Sequence, residues 1–128
     1  MTCFWDGIIQ ASEHSDYKTI GCNTMLNKQQ LIDILKTKNI KIENVMWNGN
    51  KISEKEKVEH YDAVKNYDKT KIGGGHLCSS CDSFLLLISE LFEVNIKHLY
   101  LNVEMDYKNE KAKKTLKFAS NRGHFWKL

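Results

Sequence analysis

What the sequence lacks narrows its class before any motif is considered. It contains no run of about 20 apolar residues, so we expect no segment to span a membrane. No basic region precedes the first apolar residues, so a signal-peptide pattern is missing. The net charge of +3 is small and scattered, which gives no reason to expect a nucleic-acid partner. Proline is absent altogether, but that absence does not indicate a function.

The rest of the composition is that of one globular domain. Hydrophobic residues make up 41% of the chain and charged residues 27%, both ordinary values. No linker, repeat or low-complexity tract divides the sequence, so residues 1–128 are predicted to form a single, monomeric domain. Four cysteines without a secretory signal favour reduced thiols and a cytoplasmic location.

Periodicity predicts helices first and a small sheet late. Apolar residues at helical spacing, with capping boxes at Asn27 and Ser53, predict helices over 3–12, 27–39, 53–67 and 80–92. Alternation predicts strands over 41–47, 95–103, 115–119 and 123–128, the last two as an antiparallel pair. Residues 13–24 and 106–114 are predicted to be connections. This order of elements indicates an α+β fold.

A cysteine near one end and a histidine near the other carry the clearest chemical signal. Cys3 stands where a predicted helix begins, and the exposed N–H groups and dipole of a helix start favour a thiolate. His124 lies on the last predicted strand, on the same face as Trp126. A Cys–His pair that is distant in sequence but adjacent in the fold is the usual arrangement in thiol proteases. Cys3 and His124 are therefore the candidate nucleophile and base.

Three blocks of sequence, taken in order, carry a family resemblance. The blocks are Cys3-Phe4-Trp5-Asp6-Gly7-Ile8, then Gly74-Gly75-His76-Leu77 with the apolar stretch 84–92 and Val94-Asn95-Ile96, then Leu116-Lys117-Phe118 with Gly123-His124-Phe125. Together they resemble the ovarian-tumour (OTU) class of cysteine proteases, most of which are deubiquitinases. The resemblance covers most of the chain. It implies a papain-like α+β domain whose helices pack on a small, mostly antiparallel sheet.

The resemblance also implies a reaction and a set of roles. Cys3 would attack the carbonyl of the last glycine of ubiquitin or a ubiquitin-like protein, with His124 as its base and no metal or cofactor. Main-chain N–H groups of Thr2 and Cys3 would hold the oxyanion. A narrow channel for the Gly-Gly tail would be walled by Trp126 and the central glycines Gly73, Gly74 and Gly75.

The sequence departs from the family pattern at two places. Members usually carry Asp-Gly-Asn or a similar triplet before the cysteine, whereas Met1 and Thr2 stand there in this sequence. Many members place Asn or Asp two residues after the histidine, to orient its ring. Here that residue is Trp126, whose indole N–H can only donate. Three other residues could orient the imidazole, and the sequence does not select among them: Asn102, Glu104 and Asn121.

Two other interpretations stay open at this point. The chain could be an OTU-like module that binds ubiquitin or another protein without cleaving it. It could also be a small binding domain stabilised by zinc through Cys78 and Cys81 with His76 nearby, although a structural zinc site needs four ligands and no second Cys-x-x-Cys motif occurs. The remaining histidines lack obvious partners and are expected to be exposed: His14, His60 and His98.

Overall fold

Five α-helices and a six-stranded sheet form the part of the chain, residues 2–74 and 79–128, that the computed structural model describes. The helices are α1 (Cys3–Ala11), α2 (His14–Thr19), α3 (Lys28–Thr37), α4 (Glu54–Lys65) and α5 (Ser79–Phe92), with a 3₁₀ helix over Lys69–Gly74. The strands are β1 (Val45–Trp47), β2 (Asn50–Lys51), β3 (Asn95–Tyr100), β4 (Val103–Asn109), β5 (Thr115–Ser120) and β6 (Phe125–Lys127). The fold class is α+β, as the sequence predicted.

The sheet is mixed, with strands in the order β2-β1-β4-β3-β5-β6. Strands β3 and β5 are parallel, and the other neighbours in this order are antiparallel. The antiparallel pairing of β5 with β6 confirms the strand pair predicted at the end of the chain. Because β6 pairs only with β5, it forms one edge of the sheet.

Helix α5 is the centre of the hydrophobic core. Residues Phe84 to Ile88 are each at most 1% exposed, which confirms the prediction of a helix buried on most of its circumference. The inward-facing residues of three strands belong to the same core: Ile96, Tyr107 and Phe118. Each large apolar side chain removed from water in this way stabilises the fold by about 1.5–3 kcal/mol.

A buried carboxylate on α5 anchors the segment that leads into the first strand. Glu90 is 7% exposed, and its Oε1 accepts hydrogen bonds from the backbone N–H groups of Glu43 and Asn44, both at 2.8 Å. Its Oε2 accepts a third from the Asn44 side chain at 2.7 Å. A buried charge is tolerated when it is compensated in this way, so Glu90 fixes where β1 begins.

The predicted helix starts are confirmed where a capping residue marks them. Asn27 Oδ1 accepts from the Gln30 N–H at 2.8 Å, and Ser53 Oγ accepts from the Glu56 N–H at 3.2 Å. The prediction that residues 13–24 form only a connection is wrong, since they contain α2. That short helix has its own capping box, in which Asp16 accepts from the backbone N–H of Glu13. Glutamate is not a preferred first residue of a capping box, so the start of α2 could not be recognised in the sequence.

The strand predicted over 95–103 and the connection predicted over 106–114 are also wrong in part. Strand β3 ends at Tyr100, and the chain reverses direction at Leu101 and Asn102. Strand β4 then runs from Val103 to Asn109, through part of the predicted connection. Leu101 has a φ of 52°, a left-handed conformation that leucine rarely adopts. A β-turn built on leucine gives no compositional signal, so the hairpin could not be recognised. The strand predicted over 41–47 is likewise shorter, beginning at Val45.

Two of the three histidines predicted to be exposed are not. His98 is 8% exposed, and its Nε2 lies 2.6 Å from the Ser120 hydroxyl on the neighbouring strand. His60 is half-buried with its Nδ1 2.7 Å from the Ser83 hydroxyl, and burial lowers its pKa. His14 is exposed, as predicted. The burial of His98 could not be predicted from alternation, because the aliphatic residues Leu99 and Val103 lie on the exposed face of the hairpin formed by β3 and β4.

Among the described residues, no helix combines the length and apolarity needed to cross a bilayer.

Truncating the centre of α5 should test how much of the stability depends on this core. Leu87 is 1% exposed, so Leu87→Ala is expected to lower the free energy of unfolding by roughly 2–5 kcal/mol. The same change at Leu99, which is 38% exposed, should cost far less. Denaturant unfolding of both variants measures the difference, and equal losses would contradict this description of the core.

Candidate active site

The two ends of the described chain meet where α1 packs on β6. The rings of Phe4 and Phe125 lie 4.9 Å apart between centroids. Each phenylalanine directly follows a candidate catalytic residue, Cys3 in one case and His124 in the other. The packing of these two rings therefore brings the cysteine and the histidine to the same region of the surface.

A glycine in α1 permits the close approach of the helix to β6. A Cβ atom placed on Gly7 would lie 3.0 Å from Cδ1 and from Cε1 of the Phe125 ring. Such a contact is tighter than ordinary van der Waals packing, so a larger residue would require the Phe125 ring to shift by a few tenths of an ångström. On its other side α1 is held by Trp5, whose ring meets that of Phe84 edge-on at 4.8 Å. The position of Cys3 is thus fixed by packing on both sides.

Cys3 and His124 line one cavity of about 470 Å³. The floor along α1 is formed by residues spaced i, i+3, i+4 and i+7, which is one face of a helix. These residues are Cys3, Asp6, Gly7 and Gln10. The N-terminal end of α3 contributes a second wall, and the start of β6 contributes a third that includes Phe125 and Trp126.

Cys3 is the first residue of α1 and is 7% exposed. Its sulfur is not part of a disulfide. Thr2 occupies the N-cap position, but its side chain makes no capping hydrogen bond. Its carbonyl oxygen instead accepts the first helical hydrogen bond, from the Asp6 N–H at 2.9 Å. The peptide dipoles of the first turn are thus available to stabilise negative charge beside Cys3.

His124 is exposed and lies in the turn that precedes β6. Asn121 shapes this turn, because its Oδ1 accepts from the backbone N–H groups of Gly123 at 2.9 Å and His124 at 2.8 Å. The Asn121 N–H in turn donates to the His124 carbonyl at 2.9 Å. Asn121, one of three residues considered for orienting the imidazole, thus holds the main chain of His124 through these bonds.

The imidazole of His124 is held by an aromatic ring. It stacks on the indole of Trp126, with 5.6 Å between ring centroids and 14° between ring planes. Within the described residues, the His124 ring nitrogens make no hydrogen bond. Orientation of this histidine therefore comes from stacking on Trp126.

Among the described residues, neither of the other two orienting candidates makes a hydrogen bond to the imidazole. Glu104 lies on β4, exposed, with its carboxylate 3.8 Å from the Lys97 ammonium. Strands β3 and β5 separate β4 from β6, a distance of roughly 14 Å at about 4.8 Å per strand. Asn102 is exposed in the turn between β3 and β4. Neither side chain makes a hydrogen bond with His124.

The glycines proposed to wall a channel fall partly outside the described residues. Gly73 and Gly74 end the 3₁₀ helix, and Gly75 is not described. His76 and Cys78, on which the zinc interpretation depends, are also outside the described ranges. Within those ranges, no group of three or more His, Cys, Asp or Glu side chains is placed to hold a metal ion.

An ion pair that was not predicted from the sequence lies among the residues that line the cavity. Lys28 Nζ lies 2.8 Å from Asp6 Oδ1 and donates to the Thr2 hydroxyl at 3.0 Å, while that hydroxyl donates to Asp6 Oδ2 at 2.9 Å. The hydrogen bond from Lys28 lowers the pKa of Asp6. Asp6 could have been anticipated, because it is three residues from Cys3 on a predicted helix. Lys28 is distant in sequence and gave no signal.

Comparison of the chain with protein-family models, curated proteins and solved structures gave no match.

Filling the space at Gly7 should disturb the site from a distance. An alanine inside a helix is normally about 1 kcal/mol more favourable than glycine. Here the added Cβ would collide with Phe125, so we expect Gly7→Ala to lower stability by roughly 1–3 kcal/mol, as overpacked cores do.

The control for this change is a smaller partner side chain. In the Phe125→Leu background, Gly7→Ala should cost much less than in the native chain, because the collision is relieved. Denaturant unfolding of the four proteins gives the coupling. If Gly7→Ala proves as stable as the native protein, the close packing of α1 on β6 is incorrect.

Proposed function

We propose that this chain is a thiol-dependent isopeptidase of the OTU type, which cleaves after the C-terminal glycine of ubiquitin or a ubiquitin-like protein. The observation that carries the proposal is that Cys3, at the start of a buried helix, and His124, at the start of an edge strand, line the same cavity. A nucleophile at a helix start and a histidine in the turn before an edge strand, both lining one cavity, suit papain-like chemistry. The substrate class comes from the sequence resemblance.

In the proposed mechanism His124 takes the proton of the Cys3 thiol, and the thiolate attacks the glycine carbonyl. Backbone N–H groups at Thr2 and Cys3 stabilise the oxyanion of the tetrahedral intermediate. The carbon–nitrogen bond then breaks, and the imidazolium gives its proton to the departing amine. Water, deprotonated by His124, attacks the thioester, which releases the glycine carboxylate and regenerates the thiol.

The site is proposed to work as a Cys–His dyad with an aromatic support. In a triad, a carboxylate or amide beside the histidine fixes its ring and stabilises the imidazolium. Stacking on Trp126 restricts the plane of the His124 ring but supplies no acceptor for its N–H. The imidazolium is therefore less favoured than in a triad, and we expect slow turnover. Trp126 and the loop of Gly73–Gly75 are proposed to wall the channel for the Gly-Gly tail.

A non-cleaving binding module is the second candidate. It is favoured by one observation, that the His124 imidazole makes no hydrogen bond among the described residues. A module of this kind would retain the cavity and bind the tail of a modifier without forming a thioester. A ubiquitin carrying a thiol-reactive C-terminus labels an enzyme covalently, whereas unmodified ubiquitin in a pull-down detects a binder.

Removing the nucleophile or the base should abolish cleavage. We expect Cys3→Ala and His124→Ala to remove hydrolysis of a ubiquitin–fluorophore substrate while the thermal unfolding transition persists. Cys22→Ala and Cys81→Ala serve as matched controls and should remain active, because neither lies among the residues lining the cavity. Activity that survives Cys3→Ala but disappears in Cys81→Ala would relocate the site.

The support of the imidazole can be tested with variants at three positions. Trp126→Ala should lower kcat by up to roughly 100-fold, since misplacing a catalytic group by about 1 Å can cost that much. Trp126→Phe keeps an aromatic ring and should retain most of the rate. Asn102→Ala and Glu104→Ala should behave like the native protein, because neither contacts His124. A large loss in either of these two, with Trp126→Ala unaffected, would contradict the stacking model.

A further inference from the structure

We infer that Lys28 and Asp6 form a positioning pair that sets the electrostatic environment of the Cys3 thiol. The inference rests on the proposed role of Cys3 as nucleophile. It concerns two side chains that the resemblance does not assign, one on α1 and one on α3. They act on the thiol through charge and through the backbone that precedes it, without touching the reacting bond.

Three contacts tie the pair to the residue before the nucleophile. Lys28 Nζ lies 2.8 Å from Asp6 Oδ1 and 3.0 Å from Thr2 Oγ1, and Thr2 Oγ1 lies 2.9 Å from Asp6 Oδ2. The Thr2 hydroxyl is thus committed to this triangle and does not cap the helix. The triangle holds the peptide between Thr2 and Cys3, which is where an oxyanion would be stabilised.

The pair also balances charge beside the thiol. Asp6 is on the same helix face as Cys3, one turn further along, so its carboxylate alone would oppose a thiolate. The Lys28 ammonium offsets that repulsion at 2.8 Å from the carboxylate. Among the described residues that line the cavity, those with a charged or titratable side chain are Cys3, Asp6, Lys28 and His124, so this pair places fixed charge in the cavity that the cysteine and the histidine share.

A purely structural role explains the pair poorly. The Lys28 and Asp6 side chains are 38% and 46% exposed, and exposed ion pairs contribute little to stability. Their exposure also means that substitutions at either position should leave the fold intact. A structural role and an electrostatic role predict different outcomes. If the role is electrostatic, removing the Lys28 charge and removing the Asp6 charge should affect the Cys3 thiolate in opposite directions.

The experiment measures alkylation of Cys3 in the full chain by iodoacetamide between pH 5 and 9. Mass spectrometry of the Cys3-containing peptide separates it from the other thiols. At pH 7, Lys28→Met should slow alkylation by roughly threefold, the order of the Coulomb effect of one nearby unit charge in a water-like medium. Asp6→Asn should accelerate it by a similar factor. Lys28→Arg, which keeps the charge, should match the native rate, and the double variant Lys28→Met/Asp6→Asn should return close to it.

A second readout checks the ion pair itself. The Asp6 carboxyl, followed by NMR, should titrate below its ordinary pKa in the native chain and rise towards that value in Lys28→Met, because the lysine hydrogen bond is the main cause of its lowered pKa. If charge is the cause, the alkylation rates of the variants should approach one another towards pH 9, because the thiol deprotonates in every variant as the pH rises. Lower rates for both single variants at all pH values would mean a shared structural defect and would overturn the inference, as would unchanged rates.

The outcome is separable from that of the proposed function. Alkylation requires no ubiquitin, so opposite shifts in the two variants support the positioning role even if no modifier is cleaved. If Cys3→Ala abolishes ubiquitin cleavage while neither Lys28→Met nor Asp6→Asn changes alkylation, the proposed function stands and the positioning inference fails.

Discussion

The contact between Gly7 and the ring of Phe125 is the constraint on which the candidate site depends. It joins the first helix to the last strand, so the site is assembled from residues more than a hundred positions apart in sequence. Strand β6 is at the edge of the sheet and pairs only with β5, and α1 covers the inward side of that edge through Phe4 and Phe125. The cavity therefore depends on the packing of α1 against the edge of the sheet that β5 and β6 form.

Features encoded within a few neighbouring residues could be predicted from the sequence. Capping boxes at Asn27 and Ser53, the apolar run in α5 and the last strand pair all depend on local spacing, and each is present. Other features depend on contacts that spacing does not encode. The hairpin turn relies on a leucine, Leu101, in a left-handed conformation, and the burial of His98 relies on a hydroxyl from a parallel neighbour. Lys28 reaches the cavity only because α3 is placed against α1.

The residues of the candidate site also fall into two groups, those that the sequence identifies and those that only the three-dimensional arrangement identifies. Cys3 and His124 could be chosen from the sequence because their residue types and surroundings are distinctive, and the structure places both in one cavity. The orienting group could not be chosen, because Asn102, Glu104 and Asn121 differ only in three-dimensional position. Sheet order separates Glu104 from the imidazole, and the Asn121 Oδ1 is hydrogen-bonded to the turn. From the sequence, Trp126 was expected to wall a channel and to be unable to accept a hydrogen bond, but its stacking on the imidazole was not predicted.

If Cys3 and His124 act as the proposed dyad, stabilisation of the thiolate has a different source from that in a triad. In a triad, the group beside the histidine favours the imidazolium and thereby the thiolate. An indole stacked on the ring supplies orientation and no full charge. Stabilisation of the thiolate then has to come from the cysteine side, from the helix dipole at Cys3 and from an ammonium close enough to offset the Asp6 carboxylate. Two contacts then have complementary roles in the proposed site. The ion pair of Lys28 with Asp6 sets the charge near Cys3, and the stacking of His124 on Trp126 sets the orientation of the imidazole.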